Sequence, residues 1–170
     1  KPRCIEEEYE LVYEKPKTLL DVSMHYCPGC AHSLVHKLIM EVIDELGIQE
    51  ETIGVAPVGC AVFAYDYMNI DMTEAAHGRT TLPGMKTTTS PYGRDTSYYG
   101  FPIKVSELIS HLPGAFYVTR QAVNSATAVR KAKKALINAF RYQKLKKGTC
   151  FIEIIGNCPS NWKMTPLEAS

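Results

Sequence analysis

The 170-residue sequence holds no apolar run that approaches the ~20 residues needed to cross a bilayer. It opens on Lys1-Pro2-Arg3 and an acidic stretch, without the apolar core of a secretory signal, so no membrane association and a cytoplasmic location are expected. There is no Gly-rich P-loop, no H-E-x-x-H and no convincing Ser-His-Asp arrangement, which argues against P-loop nucleotide hydrolysis, zincin proteolysis and serine hydrolysis. The apolar segments show no internal repeat, which argues against a solenoid. A net charge of +1 and the lack of a recognition motif leave nucleic-acid binding without support. Acidic residues are missing altogether between Arg130 and Lys147, where eight basic residues fall, leaving 11 Lys/Arg against 18 Asp/Glu elsewhere. That polarity could draw in an acidic protein, but a basic helical face turned to solvent is the plainer reading.

What is present starts with size. A chain of 170 residues with 45% apolar content matches one globular domain able to bury its own core, and one domain over 1-170 is expected, with residues 1-20 as an arm lying on the surface or on another subunit. Six cysteines could make three disulfides, but their uneven clustering beside turn residues favours reduced thiols. The informative stretch is His25-Tyr26-Cys27-Pro28-Gly29-Cys30-Ala31-His32, a C-x-x-C set directly before a helix. Pro28-Gly29 folds the chain back and aims both sulfurs the same way, so the two thiols could share one metal centre. A zinc knuckle, half of an iron–sulfur site, a redox dithiol and two unrelated thiols all fit that spacing. Two further cysteines lie in turns, Cys60 at the end of Ala56-Pro57-Val58-Gly59-Cys60 and Cys158 in Gly156-Asn157-Cys158-Pro159, which brings the candidate ligands to four. Cys4 is left over, and Cys150 opens an apolar strand where it should pack as a small apolar side chain.

The chain reads as alternating strands and helices. Leu34, Val35, Leu38, Ile39, Val42, Ile43 and Leu46 fall on one helical face, with Ser33 able to cap the start and Gly47 able to end it. The start of that helix adjoins Cys30, where free N–H groups and the dipole would stabilise a thiolate. A short buried strand over 52-56 empties into the Cys60 turn, and another over 150-155 empties into the Cys158 turn, as ligand-binding turns do at the carboxyl ends of parallel strands. A short helix over 61-68, another marked by Val105, Leu108, Ile109 and Leu112, a strand over 116-119 and a long helix over 127-143 complete the pattern. Lys86-Thr87-Thr88-Thr89-Ser90-Pro91-Tyr92-Gly93-Arg94 is a loop by composition. The expected class is α/β, a mainly parallel sheet flanked by helices.

Taken in order, HYCPGC-H, PVGC, AAHGR, KTTTSPYGR and a strand running into NCPSNW resemble the thiamine-diphosphate-binding beta subunit of the 2-oxoacid:ferredoxin oxidoreductases, over nearly the whole chain. The resemblance implies the thiamine-diphosphate-binding fold and one 4Fe-4S cluster on Cys27, Cys30, Cys60 and Cys158. It implies that Val58, Gly59, Cys60 and Ala61 line the cofactor, that His77 of His77-Gly78-Arg79 lies near its diphosphate, and that the Lys86 to Arg94 loop contacts substrate or a partner subunit. The implied reaction is oxidative decarboxylation of a 2-oxoacid to an acyl-CoA and CO2, with magnesium as a further cofactor. Its implied partners are other subunits, a 2-oxoacid, coenzyme A and a ferredoxin.

The sequence departs from the family pattern at one junction. Family members continue from HGR through a helix and a strand to a G-D-G-D motif and a later asparagine, which hold magnesium and diphosphate; here Arg79 joins Thr80 directly and no G-D-G occurs. A disordered stretch left out of the sequence, an artificially shortened chain and a natural deletion would each produce this. The first is favoured, because losing a central strand would leave a hole in the sheet that the remaining residues cannot fill. The magnesium ligands therefore cannot be named. Two rival classes stand beside this reading, a non-catalytic electron-relay subunit and a zinc-stabilised interaction module built on the same cysteines.

Overall fold

A computed structural model describes residues 11-75, 83-86 and 91-169. Helix α1 (Ala31–Leu46) leads into a 3-10 turn, strand β1 (Ile53–Pro57), a second 3-10 segment at Val62–Asp66 and strand β2 (Asp71–Ala75). Short helices α2 (Thr96–Tyr99) and α3 (Val105–Ser110) then precede strand β3 (Ala115–Ala122), long helix α4 (Ala126–Lys144), strand β4 (Thr149–Ile155) and helix α5 (Pro159–Trp162). The protein is α/β with parallel strands flanked by helices, as the sequence leads one to expect. Among the described residues the strands pair as two separate parallel ribbons, β1 with β2 and β3 with β4.

Helix α1 joins the two halves. It buries more than the single stripe read from the sequence: Leu38 and Val42 pack with Val123, Ala132 and Leu136 on the β3–α4 side, while Met40 and Ile43 pack with Ile48, Ala56, Ala64 and Met68 on the β1 side. A helix with apolar residues on two faces is buried on both, and Met40, Val42 and Ile43 are fully inaccessible. Its end follows expectation, with Gly47 left-handed at φ 60° and its N–H bonded to the carbonyls of Asp44 and Ile43. Its start does not. The N-cap is Cys30 and the helix begins at Ala31, three residues before the first periodic leucine; Ser33 sits inside the first turn, where its hydroxyl donates to the Cys30 carbonyl at 3.4 Å.

The supposed arm is partly built into the fold. Thr18 is fully buried, its hydroxyl donating to the Met40 carbonyl at 3.2 Å, and the backbone N–H groups of Lys17 and Thr18 donate to the Asp44 carboxylate. Leu11 and Val12 are exposed, and among the described residues the surface description fits 11-15, ahead of this anchor. The basic face of α4 is also partly spoken for, since Lys133 meets Glu41 at 3.0 Å and Glu45 at 2.5 Å on α1, and Lys144 meets Glu51 at 3.6 Å.

Between β1, α1 and α4 lies a cavity of about 520 Å3 lined by Ile39, Ile43, Gly54, Val55, Ala56 and Phe140, among others. Ile53 and Val55 of β1 are 71% and 59% exposed, although strands of parallel sheets are normally covered on both faces. Among the described residues, no helix is long and apolar enough to cross a membrane.

Because Met40 is sealed in the β1-side core, Met40→Ala should destabilise the fold by about 2–5 kcal/mol. Leu11→Ala at an exposed position should stay within about 0.5 kcal/mol. Urea midpoints for the two variants measure the difference.

Candidate functional site

The site is assembled where three turns meet the start of α1. In the first, the Cys30 N–H closes on the Cys27 carbonyl at 3.0 Å. Gly29 takes φ +76°, and a Cβ there would come within 2.4 Å of the Pro166 side chain, so both backbone conformation and space call for glycine. Cys30 follows as the N-cap of α1, with no acidic side chain in the first turn to compete for the positive end of the helix.

The second turn leaves β1. Val58, Gly59 and Cys60 are exposed and Ala61 is buried beneath them. The segment after Cys60 is tied to the residues before Cys27: the His25 N–H donates to the Tyr67 hydroxyl at 3.2 Å, its Nδ1 also meets that hydroxyl, and its ring packs edge-on against Phe63 at 5.3 Å. The third turn leaves β4. Gly156 presses so closely on α1 that a Cβ would sit 2.8 Å from that of Ala31, and Cys158 caps α5 with Pro159 buried behind it. Ala31, His32, Val35, Ile154, Gly156 and Cys158 border a cavity of about 310 Å3 at this contact.

The four cysteines singled out in the sequence are free thiols carried by these turns. Burial raises the Cys30 thiol above its ordinary value; a bond involving His32 works against that, and the charges of Cys158, Cys60 and Cys27 add to it. Among the described residues, no three His, Cys, Asp or Glu side chains are grouped to hold a single metal ion. Cys150 is spent elsewhere, paired within the sheet opposite Tyr117, with burial raising its thiol. Cys4 and His77 lie outside the described residues, as do Arg79, Thr80 and the 87-90 part of the polar loop. The rest of that loop is held between the Gly84 and Arg94 backbones, and Asn161 of α5 donates its amide to the Met85 sulfur at 3.5 Å, which sets it on the Cys158 side of the molecule.

Sequence reasoning gave no role to the rings around Cys30. Tyr26 stacks on His32 at 5.1 Å and meets His36 Nδ1 through its hydroxyl at 3.3 Å, and His36 stands edge-on to His32 at 6.2 Å. The His32 Nδ1 lies 3.1 Å from the Cys30 sulfur. Only the crowding of His and Tyr beside C-x-x-C signals this in the sequence. Burial, followed by the charges of Tyr67, Cys30 and Cys60, holds the Tyr26 phenol above its ordinary range. Burial, followed by the charges of His32 and His25, pushes His36 down to about 4.

His36 stays neutral in the fold while an unfolded chain protonates near 6.5, so the unfolded state binds more protons between those values. Stability is therefore greatest above about pH 6.5 and falls as pH drops toward 4, by up to on the order of 3 kcal/mol. Denaturation midpoints at pH 7.5 and 5 should show the drop. His36→Phe should flatten it, and His32, lowered chiefly by burial, should retain the remainder.

No family model matches the chain. The chain is 31% identical over 213 residues to the ketoisovalerate oxidoreductase subunit VorA of Methanothermobacter marburgensis, covering 88% of this chain and 45% of that protein. It is 30% identical over 223 residues to the corresponding protein of Methanothermobacter thermautotrophicus, covering 88% and 47%. The chain thus spans less than half the length of these relatives. Both alignments are longer than its own 170 residues, so the relatives carry residues opposite gaps in this chain. In fold it is similar to a chain of the 2-oxoglutarate:ferredoxin oxidoreductase of Magnetococcus marinus, solved with 2-oxoglutarate, coenzyme A and succinyl-CoA bound, at a TM-score of 0.59 and 15% identity over 91% of this chain and 72% of that one. The sequence relatives are ketoisovalerate oxidoreductase subunits, and the solved structure, at 15% identity, shares the fold.

Proposed function

We propose that this chain is the thiamine-diphosphate-binding subunit of a 2-oxoacid:ferredoxin oxidoreductase. The complex would convert a 2-oxoacid and coenzyme A to an acyl-CoA and CO2, with electrons passing through a 4Fe-4S cluster on Cys27, Cys30, Cys60 and Cys158 to a ferredoxin. Other subunits of the complex are its partners, and 1-170 serves as one cofactor-binding domain. The observation that carries this reading is the meeting of the three cysteine-bearing turns at the start of α1.

The donor set suits a cluster. Four free thiols are soft ligands of the type iron–sulfur clusters use. The charges of Cys158, Cys60 and Cys27 reach Cys30. The start of α1 would stabilise the added charge.

Bound thiamine diphosphate would supply the carbanion chemistry of decarboxylation. The part of this chain is to set the open Val58-Gly59-Cys60 turn, with Ala61 under it, beside the other cysteine turns, and to bring His77 toward the diphosphate. For magnesium the residues present form no set, because the sequence has no G-D-G, and no ligand is assigned. The surplus residues of the relatives would fall between Arg79 and Thr80, beyond β2, whose partner β1 walls the groove under α1 and α4. The same lack of G-D-G favours a second reading, an electron-relay subunit without catalysis.

Anaerobic reconstitution with iron and sulfide separates these readings. Wild type should turn brown and take up a 4Fe-4S cluster, Cys158→Ser should lose most of it, and Cys150→Ser should keep it; a colourless protein that takes up zinc alone would refute the cluster. In the assembled complex, thiamine diphosphate with magnesium should raise the melting temperature through ligand linkage, and magnesium alone should do little. No rise with both would leave the relay reading in place.

A further inference from the structure

We infer that His32 tunes the cysteine site: its imidazole N–H donates to the Cys30 sulfur and, with a cluster in place, raises the cluster's reduction potential. This rests on the proposal that the four cysteines hold a cluster, and adds to it a residue that touches no iron.

His32 lies in the first turn of α1, two residues after Cys30, so the backbone of a helix sealed into two cores sets the distance between them. Its Nδ1 is 3.1 Å from the Cys30 sulfur, within range for an N–H···S bond. The ring is not free to turn away. One face stacks on Tyr26, with ring centroids 5.1 Å apart and planes 17° from parallel, and His36 closes another side edge-on. Tyr26 is itself held by its hydroxyl on His36 and by packing against Tyr67.

The direction of the bond follows from chemistry. A thiolate bound to iron has lone pairs and no proton, so it can only accept. A neutral imidazole has one N–H, and the thiolate places that hydrogen on Nδ1. Cys27 and Cys60 are exposed and can be solvated by water, whereas Cys30 is half-buried, where a hydrogen bond is worth more. Reduction adds one electron to the cluster and makes its sulfurs better acceptors. The bond therefore strengthens on reduction, and no covalent bond forms or breaks.

The test compares midpoint potentials of the reconstituted full chain by EPR-monitored redox titration. His32→Leu removes the donor and should shift the reduction equilibrium about tenfold toward the oxidised state, ~59 mV lower for a one-electron couple. His32→Asn, whose side-chain amide occupies the place of Nδ1, should recover most of that shift. A general loosening of the site would not distinguish a donor from an apolar side chain, so equal potentials in the two variants, or a wild-type potential in His32→Leu, would overturn the inference. Should His32→Leu not retain iron, pulsed EPR on wild type labelled with 15N-histidine decides: a nitrogen coupling to the reduced cluster supports the bond, and none overturns it. A wild-type chain that takes up no iron overturns the cluster proposal and this inference together, while a cluster indifferent to His32 overturns this inference alone.

Discussion

The close contact between the start of α1 and the turns around it is the constraint on which the candidate site depends. Cys30 is the N-cap, so its position is that of the helix, and the helix is held by a separate apolar core on each side. Gly156 lies against Ala31, Gly29 lies against Pro166, and the pair His25 and Tyr67 ties the Cys60 segment to the Cys27 turn. Each contact leaves little slack. A side chain at either glycine would collide with its neighbour and push one cysteine-bearing turn away from the others.

Bringing thiols together is costly unless something offsets their charge. Burial and the neighbouring thiolates both oppose ionisation of Cys30, as its raised thiol reflects. Two features of the chain act in the other direction. The first turn of α1 carries no acidic side chain, leaving its positive end to the thiols, and the His32 ring stands beside the sulfur. The surrounding Tyr26, His36, His25 and Tyr67 form a polar aromatic shell, and among the described residues no buried side-chain nitrogen or oxygen lacks a partner. Such a shell is rigid when fully satisfied, which suits a site whose parts must keep their distances.

Among the described residues the strands form two parallel ribbons that do not pair with one another. Helices α1 and α4 span both halves, yet β1 leaves a wide groove beneath them and exposes Ile53 and Val55. Protein interiors do not ordinarily tolerate an opening of this size along a sheet. The relatives' alignments outrun the whole length of this chain, so those proteins carry residues that this chain lacks.

The sequence by itself determined the periodic elements and the chemistry of the turns. The heptad-like spacing from Leu34 to Leu46, the glycine at 47, the apolar runs into Cys60 and Cys158, and the long helix before Lys144 are local signals, carried by residues a few positions apart. Strand β2 escaped notice because Asp71-Met72-Thr73-Glu74-Ala75 has no apolar run, and it forms by pairing in register with β1. The cap falls on Cys30 rather than on Ser33 because Cys30 caps through backbone geometry, while Ser33, the better capper by residue type, is drawn into the first turn. Only the tertiary structure decided which faces of α1 are covered, that Thr18 and Asp44 anchor the early chain, and that His32 stands against Cys30 with Tyr26 behind it. Those are contacts between segments distant in sequence or between ring planes, and their orientation comes from packing, for which no local pattern of residues is a substitute.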